Sequence, residues 1–210
     1  MRRTGPALLV AAGALLIGGA AQAKSPPAGI HVCGASGCVD VAPAEAMVMW
    51  SEGFESNRPV AAAPFYTVSW HFGSEPDQSA YFIPSRRTFR WVEPRGWRIV
   101  SPHAVAVLGT AIGRLAPFGL PTLTRVTVAG REVRAPGTYT SLLRGQPWWQ
   151  WPGGKWLTVE FESTAPSPWT NGEMTVRLNR RGPYVVMDGW VFKIPRAVAK
   201  RARLGLSLSG

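Results

Sequence analysis

Four closely spaced tryptophans are the side chains of this sequence best suited to binding a ligand. They lie in the stretch QPWWQWPGGKWLTV and are Trp148, Trp149, Trp151 and Trp156. Indole rings stack on sugar faces and on cations, and they settle at lipid interfaces. Pro147 and Pro152 flank the first three, which predicts an irregular loop, with Lys155 and Trp169 expected nearby. The alternative is that these rings fill the core or a contact between two halves of the chain.

Two arginine pairs could hold an anionic ligand. Arg86-Arg87 and Arg180-Arg181 each precede a predicted strand, and Arg87 aligns with Arg180 in the internal repeat described below. Guanidinium groups bind phosphate and carboxylate bidentately. If the two repeats pack around a two-fold axis, both pairs fall at symmetric positions. The alternative is that each pair is a solvated hairpin turn.

Acid, base and nucleophile candidates do not form a recognisable catalytic set. Glu160 and Glu162 alternate onto one face of a predicted strand, about 7 Å apart, a separation that glycoside hydrolysis can use. His71, with Asp77 six residues on, ends an apolar strand, and His103 begins a helix. The chain lacks a G-x-S-x-G elbow, an H-E-x-x-H pair and a glycine-rich phosphate loop. The sequence therefore favours a non-enzymatic protein, and a secreted hydrolase with active residues in the second repeat stays the alternative.

Cys33 and Cys38 are the only cysteines, in the stretch IHVCGASGCVDV. Two short strands around a glycine-containing loop predict a hairpin with the cysteines facing each other. A structural disulfide is the favoured interpretation, since exported chains pair an even number of cysteines. A redox pair is a second interpretation. A metal site with His31 is a third, but it lacks a fourth ligand, so no metal and no cofactor are predicted.

The first 23 residues have the pattern of a secretory signal peptide. Arg2 and Arg3 precede an uncharged apolar run from 7 to 21, and Ala21-Gln22-Ala23 provides small residues for cleavage. The run is shorter than the roughly 20 residues of a membrane-spanning helix. The sequence thus predicts export by the general secretory route, with no transmembrane segment after cleavage.

The charge of the chain is strongly basic. The full chain carries +11 at pH 7, which falls to +9 when Arg2 and Arg3 are removed. Such a field attracts anionic partners, for example envelope polymers or acidic carbohydrate, and export disfavours nucleic acid as the partner. The alternative is compositional, because arginine outnumbers lysine 17 to 4 after residue 23, as in GC-rich genomes.

Comparing the chain with itself reveals a duplication that would position these side chains. WVEPRGWRIVSPHAVA at 91–106 aligns with YVVMDGWVFKIPRAVA at 184–199, with seven identities in sixteen positions. The identities include the pairs Gly96/Gly189, Trp97/Trp190 and Pro102/Pro195. These residue types serve turns, helix starts and packing, and no carboxylate is repeated. Any catalysis would therefore belong to one copy or to the cleft between the copies.

The residue pattern of each copy predicts four strands followed by a helix that begins near a proline. The first helix is expected over 102–115 with Ser101 as its N-cap, and the second over 195–204 with cations in its last turn. A further hairpin around Gly130 is expected between the copies. The predicted class is α+β, with internally duplicated, mostly antiparallel β-rich units that each end in one helix. The segments are the signal peptide (1–23), the disulfide hairpin and linker (24–58), the first repeat (59–116), the connecting hairpin segment (117–146) and the second repeat (147–210).

A resemblance to other sequences indicates where the protein is located. The VCGxxxC hairpin after a signal peptide, with LAPFGLPTLTRVTVAGREV and SPWTNGE…DGWVFKIP further on, resembles uncharacterised secreted proteins of high-GC Gram-positive bacteria. The resemblance implies a secreted or cell-envelope location and carries no activity and no functional residues. The sequence thus predicts an exported, non-enzymatic protein of the envelope or exterior that binds an anionic or carbohydrate polymer. A hydrolase and a protein–protein adaptor are the alternatives.

Overall fold

A computed structural model describes residues 26–56, 59–73, 75–92, 96–164, 167–169 and 173–207. Two antiparallel sheets of seven strands each dominate it, with helices packed on them. The predicted α+β class with two similar β-rich units is therefore confirmed. The predicted signal peptide lies outside the described residues.

The first sheet has the strand order β2-β1-β4-β5-β6-β7-β3. Its central part is the meander β4 to β7, in which each strand pairs with the next. The hairpin β1–β2 joins one edge through β4, and β3 joins the other through β7. The strands are β1 (Gly29–Gly34), β2 (Gly37–Val41), β3 (Gly53–Ser56), β4 (Tyr66–Phe72), β5 (Glu75–Ile83), β6 (Thr88–Trp91) and β7 (Gly96–Val100).

The second sheet repeats this plan with the order β10-β14-β13-β12-β11-β8-β9. The meander runs from β11 to β14, the hairpin β8–β9 joins it through β11, and β10 joins it through β14. The strands are β8 (Leu123–Val128), β9 (Arg131–Glu132), β10 (Gln146–Trp148), β11 (Trp156–Ser163), β12 (Glu173–Asn179), β13 (Tyr184–Met187) and β14 (Trp190–Lys193). Segments 24–58 and 117–146, which lie outside the repeats as read from the sequence, thus supply the equivalent hairpins β1–β2 and β8–β9. The edge strand β3 also lies in the first of these segments, whereas β10 extends into the predicted second repeat.

The helices also correspond between the units. In the first unit, α1 (Pro43–Ser51) follows the hairpin and α2 (Pro102–Ile112) follows the meander. In the second, a 3₁₀ helix (Pro136–Arg144) and α3 (Arg196–Arg203) take the same places. A one-turn 3₁₀ helix (Pro84–Arg86) lies between β5 and β6.

The helix starts agree with the prediction from the sequence, whereas the end of one helix differs from it. The Ser101 hydroxyl accepts a hydrogen bond from Ala104 N at 2.9 Å, as its predicted N-cap role requires. Pro195 caps α3 without a side-chain bond, and the cations of α3 occupy its last turn as expected. The first repeat's helix ends at Ile112 instead of residue 115, because Gly113 takes a left-handed φ of 56° that stops the helical path.

The disulfide between Cys33 and Cys38 is confirmed, with the sulfurs 2.12 Å apart. The two residues are directly paired across β1 and β2. The expected four-residue loop is shorter in the structure, since Gly34 pairs with Gly37 and leaves a two-residue turn. The Ser36 hydroxyl in this turn accepts a hydrogen bond from Ala116 N, which attaches the hairpin to the segment after α2.

Two buried clusters form the core. One lies inside the first unit, where Val68, Trp70 and Phe82 of the sheet pack with Ala104 and Leu108 of α2. The other fills the second unit between its sheet and its helices and also takes in residues from the opposite face of the first sheet, namely Tyr81, Ile83 and Trp97. The free face of the first sheet is therefore partly covered by the second unit.

The corresponding face of the second sheet is open to solvent. Along β11, Thr158 and Glu160 are exposed, whereas Val159 and Phe161 between them are buried. β12 alternates in the same way, with Arg177 exposed beside buried Leu178. This exposed face is the one that carries the tryptophans.

Candidate ligand-binding surface

The strand register places Trp148 and Trp156 on the open face of the second sheet. One transverse row runs through directly paired residues of five strands, and its members are Thr158, Arg177, Val186, Val191 and Trp148. Trp156 and Tyr184 lie two residues from members of this row on their own strands. Since side chains two apart in a strand share a face, both rings point the same way as Arg177.

This surface consists of two aromatic groups, and each group has one cation beside it. Trp148 and Trp149 stack with their centroids 5.5 Å apart and planes at 12°, and Tyr184 lies 5.9 Å from Trp148. The Lys193 ammonium lies 4.8 Å from the centroid of Trp148. We call the complete set the tryptophan surface, and it consists of Trp148, Trp149, Trp151, Trp156, Tyr184, Arg177 and Lys193.

The second group contains the other two indoles. Trp151 and Trp156 lie 5.7 Å apart, and the Arg177 guanidinium lies 5.6 Å from the centroid of Trp151. Cations at these distances are attracted to the negative faces of the rings. The same cations still present charge to solvent, because Arg177 and Lys193 are exposed.

The four indoles divide into two exposed and two supporting rings. Trp149 is 74% exposed and Trp151 is 55% exposed, whereas Trp148 and Trp156 are half-buried beneath them. The prediction of an irregular loop is wrong for Trp148, which lies in β10 and pairs with Val191. β10 is an edge strand, where the missing N–H of Pro147 is tolerated.

A buried asparagine fixes the loop between β10 and β11. Asn179 is 2% exposed, and its Nδ2 donates to Gly153 O at 3.1 Å. Its Oδ1 accepts from the backbone N–H groups of Arg181 and Gly182 at 3.0 and 2.7 Å. The exposed rings are therefore carried by a loop tied to the end of β12. Sequence analysis missed Asn179, although an asparagine that ends a strand before Arg-Arg-Gly is typical of a turn-forming position.

Trp169 does not lie beside the tryptophan surface. It is 5% exposed, packs 6.0 Å from Phe65 and donates from Nε1 to Val60 O at 2.9 Å. The expectation that it adds to the exposed cluster is wrong. Its segment runs along the junction between the two units, where an apolar ring is buried from both sides.

The two arginine pairs are exposed, and each stays on its own sheet. Arg86 and Arg87 occupy the last two positions of the connection between β5 and β6, whereas Arg180 and Arg181 occupy the first two positions of the equivalent connection. No contact that joins one pair to the other appears among the described residues. Arg180 N donates to Lys155 O at 2.9 Å, so the second pair lies at the base of the tryptophan loop.

The carboxylates proposed for hydrolysis each have another partner. Glu160 accepts from the Thr127 hydroxyl at 2.7 Å. Glu162 pairs with Arg125 at 2.9 Å, and Arg125 also reaches Glu132 at 3.4 Å. The hydrogen bond to Glu162 and the negative charge of Glu162 contribute most to raising the pKa of Arg125, and Glu132 raises it further. The two glutamates thus belong to cross-strand pairs on the sheet surface.

Each histidine lies beside one surface carboxylate. The Nδ1 atoms of His31, His71 and His103 lie 2.7, 2.8 and 2.8 Å from Asp40, Asp77 and Glu52, respectively. Ser101 donates to Glu52, which also contacts His103. A nucleophilic serine would instead donate to the histidine, so this trio ties the end of α1 to the start of α2.

His31 lies beside the two cysteines with which the sequence grouped it as possible metal ligands. Ligand atoms of His31, Cys33 and Cys38 lie within 4.8 Å of one another. Zinc binds cysteine as a thiolate, and both sulfurs are bonded to each other. His31 Nδ1 is already beside Asp40. In the structure these residues form a disulfide with a neighbouring surface contact between His31 and Asp40.

No protein-family model, curated protein or solved structure matches this chain. Within the described ranges, none of the helices has the length and apolar character needed to cross a membrane. Functional inference therefore depends on the chemistry of the surfaces themselves.

Proposed function

We propose that this is an exported, non-enzymatic protein of the cell envelope or exterior that binds an anionic polysaccharide through the tryptophan surface. The observation that carries the proposal is the pair of exposed indoles, Trp149 and Trp151, supported by half-buried rings on the open face of a rigid sheet. A single exposed tryptophan is ordinary, whereas two such groups on one face are costly to leave in water without a ligand.

The indoles suit a sugar because they offer flat apolar area to its C–H faces. The stacked pair Trp148–Trp149 has nearly parallel planes, and the loop that carries Trp149 and Trp151 is held by Asn179. A site fixed before binding loses less conformational entropy when it captures a ligand. Polymer chains with repeated rings can occupy both aromatic groups at once.

The cations favour a polymer with negative charge. Exposed positive side chains line or adjoin the tryptophan surface at Lys155, Arg177, Arg180, Arg181 and Lys193. They add a local positive potential to the basic net charge of the chain. A protein–protein adaptor predicts the reverse, a large apolar patch with few charges nearby.

Two further features support export and a binding role. The chain begins with the signal pattern described above, and the disulfide between Cys33 and Cys38 suits an oxidising compartment. Glu160 and Glu162, the basis of the hydrolase alternative, are engaged with Thr127 and Arg125. Binding without hydrolysis is therefore the better account of this face.

Co-migration in native gels tests the proposal. The exported protein is run through gels that contain a polyuronate such as alginate or a neutral dextran, at low and physiological salt. The double variant Trp149→Ala/Trp151→Ala is compared with Phe54→Ala, which removes an exposed ring of the first unit that is 64% accessible. We expect salt-sensitive retardation by alginate that weakens at least tenfold in the double variant and is unchanged in Phe54→Ala.

Two outcomes would contradict the proposal. Equal retardation of wild type and the double variant would show that the indoles do not form the site. Retardation by neither polysaccharide at low salt would remove the anionic polymer as the ligand. Circular dichroism of each variant shows that the fold is retained.

A further inference from the structure

Two adjoining cavities lie on the free face of the first sheet, away from the tryptophan surface, and only the smaller one is also lined by residues of the second unit. Both are lined by Tyr81 and Val92. The larger has a volume of about 360 Å³ and lies against the free face of the first sheet. Ligand pockets have volumes of this order and combine apolar and aromatic linings with a few polar groups.

The floor of the larger cavity is a patch of hydroxyl groups. Thr67 pairs with Tyr81 and Ser69 pairs with Ser79 across β4 and β5, and all four residues line the cavity. None of their hydroxyls is hydrogen-bonded to another described residue, although Tyr81 is only 8% exposed. Thr67 and Ser69 are half-buried and Ser79 is exposed, so their hydroxyls can bond to water that a ligand with a hydrogen-bonding group would replace.

The walls are apolar rings held in place by backbone bonds. Phe65 and Phe118 lie 5.6 Å apart, and their backbones form a two-way bridge of 3.1 and 2.8 Å. Val92 closes the side next to the smaller cavity. We call the cavity with this floor and these walls the hydroxyl slot.

The described charged side chains of this region line the neighbouring, smaller cavity. Among the described residues, none that lines the hydroxyl slot carries a charge. Arg90 lines only the smaller cavity, where it lies 3.4 Å from Asp188 and 5.1 Å from the ring of Trp97. An ionised ligand in the slot would lose its hydration, and no described residue of the lining offers it a charged partner.

We infer that the hydroxyl slot binds an uncharged small molecule with a planar apolar ring and at least one hydrogen-bonding group. The ring lies between the sheet and the Phe65–Phe118 wall, and the polar group meets the hydroxyls of Thr67, Ser69, Ser79 and Tyr81. This site is separate from the tryptophan surface, and the inference does not depend on the proposed polysaccharide binding.

Two matched dyes test the inference on the full exported protein. N-phenyl-1-naphthylamine is uncharged, and 1-anilinonaphthalene-8-sulfonate has the same ring skeleton with a sulfonate added. We expect saturable fluorescence enhancement with the uncharged dye and at least tenfold weaker binding of the sulfonate. Equal or tighter binding of the sulfonate would overturn the inference.

Single-residue variants show whether the uncharged dye occupies the hydroxyl slot. Ser69→Phe fills the slot from its half-buried floor and should weaken binding of the uncharged dye at least tenfold. Ser85→Phe, the same change on an exposed turn of the same unit, should leave it unchanged. If Ser69→Phe fails to fold, Ser79→Phe on the exposed neighbouring strand position replaces it. Binding that survives a folded slot-filling variant, or that is lost in Trp149→Ala/Trp151→Ala, would overturn the assignment.

Discussion

At the scale of single residues, Asn179 is the side chain on which the tryptophan loop most depends. Its amide joins the loop to the end of β12 through one donated and two accepted hydrogen bonds, all at a position closed to water. The indoles were evident in the sequence because tryptophan is rare and the four are clustered. The role of Asn179 was not evident in the sequence, because it depends on a contact with Gly153, which is 26 residues away.

Asn179→Ala should therefore weaken both the fold and the ligand site. It leaves the backbone groups of Arg181, Gly182 and Gly153 without their partner, which lowers the free energy of unfolding by about 2 to 3 kcal/mol. Urea denaturation measures this loss, and proteolysis of the loop between β10 and β11 should become faster. Asn179→Asp keeps the acceptor but places a carboxylate oxygen against Gly153 O and buries its charge, so it should not restore wild-type stability. An alanine variant as stable and as protease-resistant as wild type would show that the loop holds itself.

At the scale of elements, the sequence predicted the meanders and the last helices well and left the outer strands unassigned to the repeats. A signal for them existed, since Ala42-Pro43 at the start of α1 and Ala135-Pro136 at the start of the equivalent 3₁₀ helix are 93 residues apart. This is also the offset of the repeated Gly-Trp. The hairpins themselves share almost no identities. Backbone pairing and alternating burial, rather than particular residues, define such strands.

The junction between α1 and α2 should make stability depend on pH. Hydrogen bonds from Ser101 and then His103 lower the pKa of Glu52 below its ordinary value of 4.5. A carboxylate with a lowered folded-state pKa stabilises the fold above its unfolded pKa and loses that contribution as pH falls through the folded value. We expect Glu52→Gln to melt below wild type at pH 6 and the gap to narrow as pH drops below 4.5. A gap that stays constant down to pH 3 would contradict this role.

At the scale of the whole molecule, the two units are alike in topology and unlike in surroundings. In the first, the loop between the outer strand and the meander carries Ala61, Ala62 and Ala63, all buried, and Ala62 N donates to Leu143 O of the second unit. In the second, the equivalent loop carries the exposed Trp149 and Trp151. Sequence comparison indicated that the tryptophans lack a counterpart. Only the packing of one unit against the other explains why one loop is covered and the other is free.

Because the second core cluster takes residues from both sheets, the two units should unfold together. Trp169→Ala removes a ring that packs on Phe65 and donates to Val60 O, and large-to-small changes of this kind cost about 3 to 5 kcal/mol. We expect far-UV circular dichroism and tryptophan fluorescence to report one shared transition in wild type, shifted to lower urea in the variant. Trp149→Ala, which removes an exposed indole, should change the free energy of unfolding by no more than about 0.5 kcal/mol. Separate transitions for the two probes in wild type would mean that each unit is stable by itself, and the junction around Trp169 would then be a contact between independent domains.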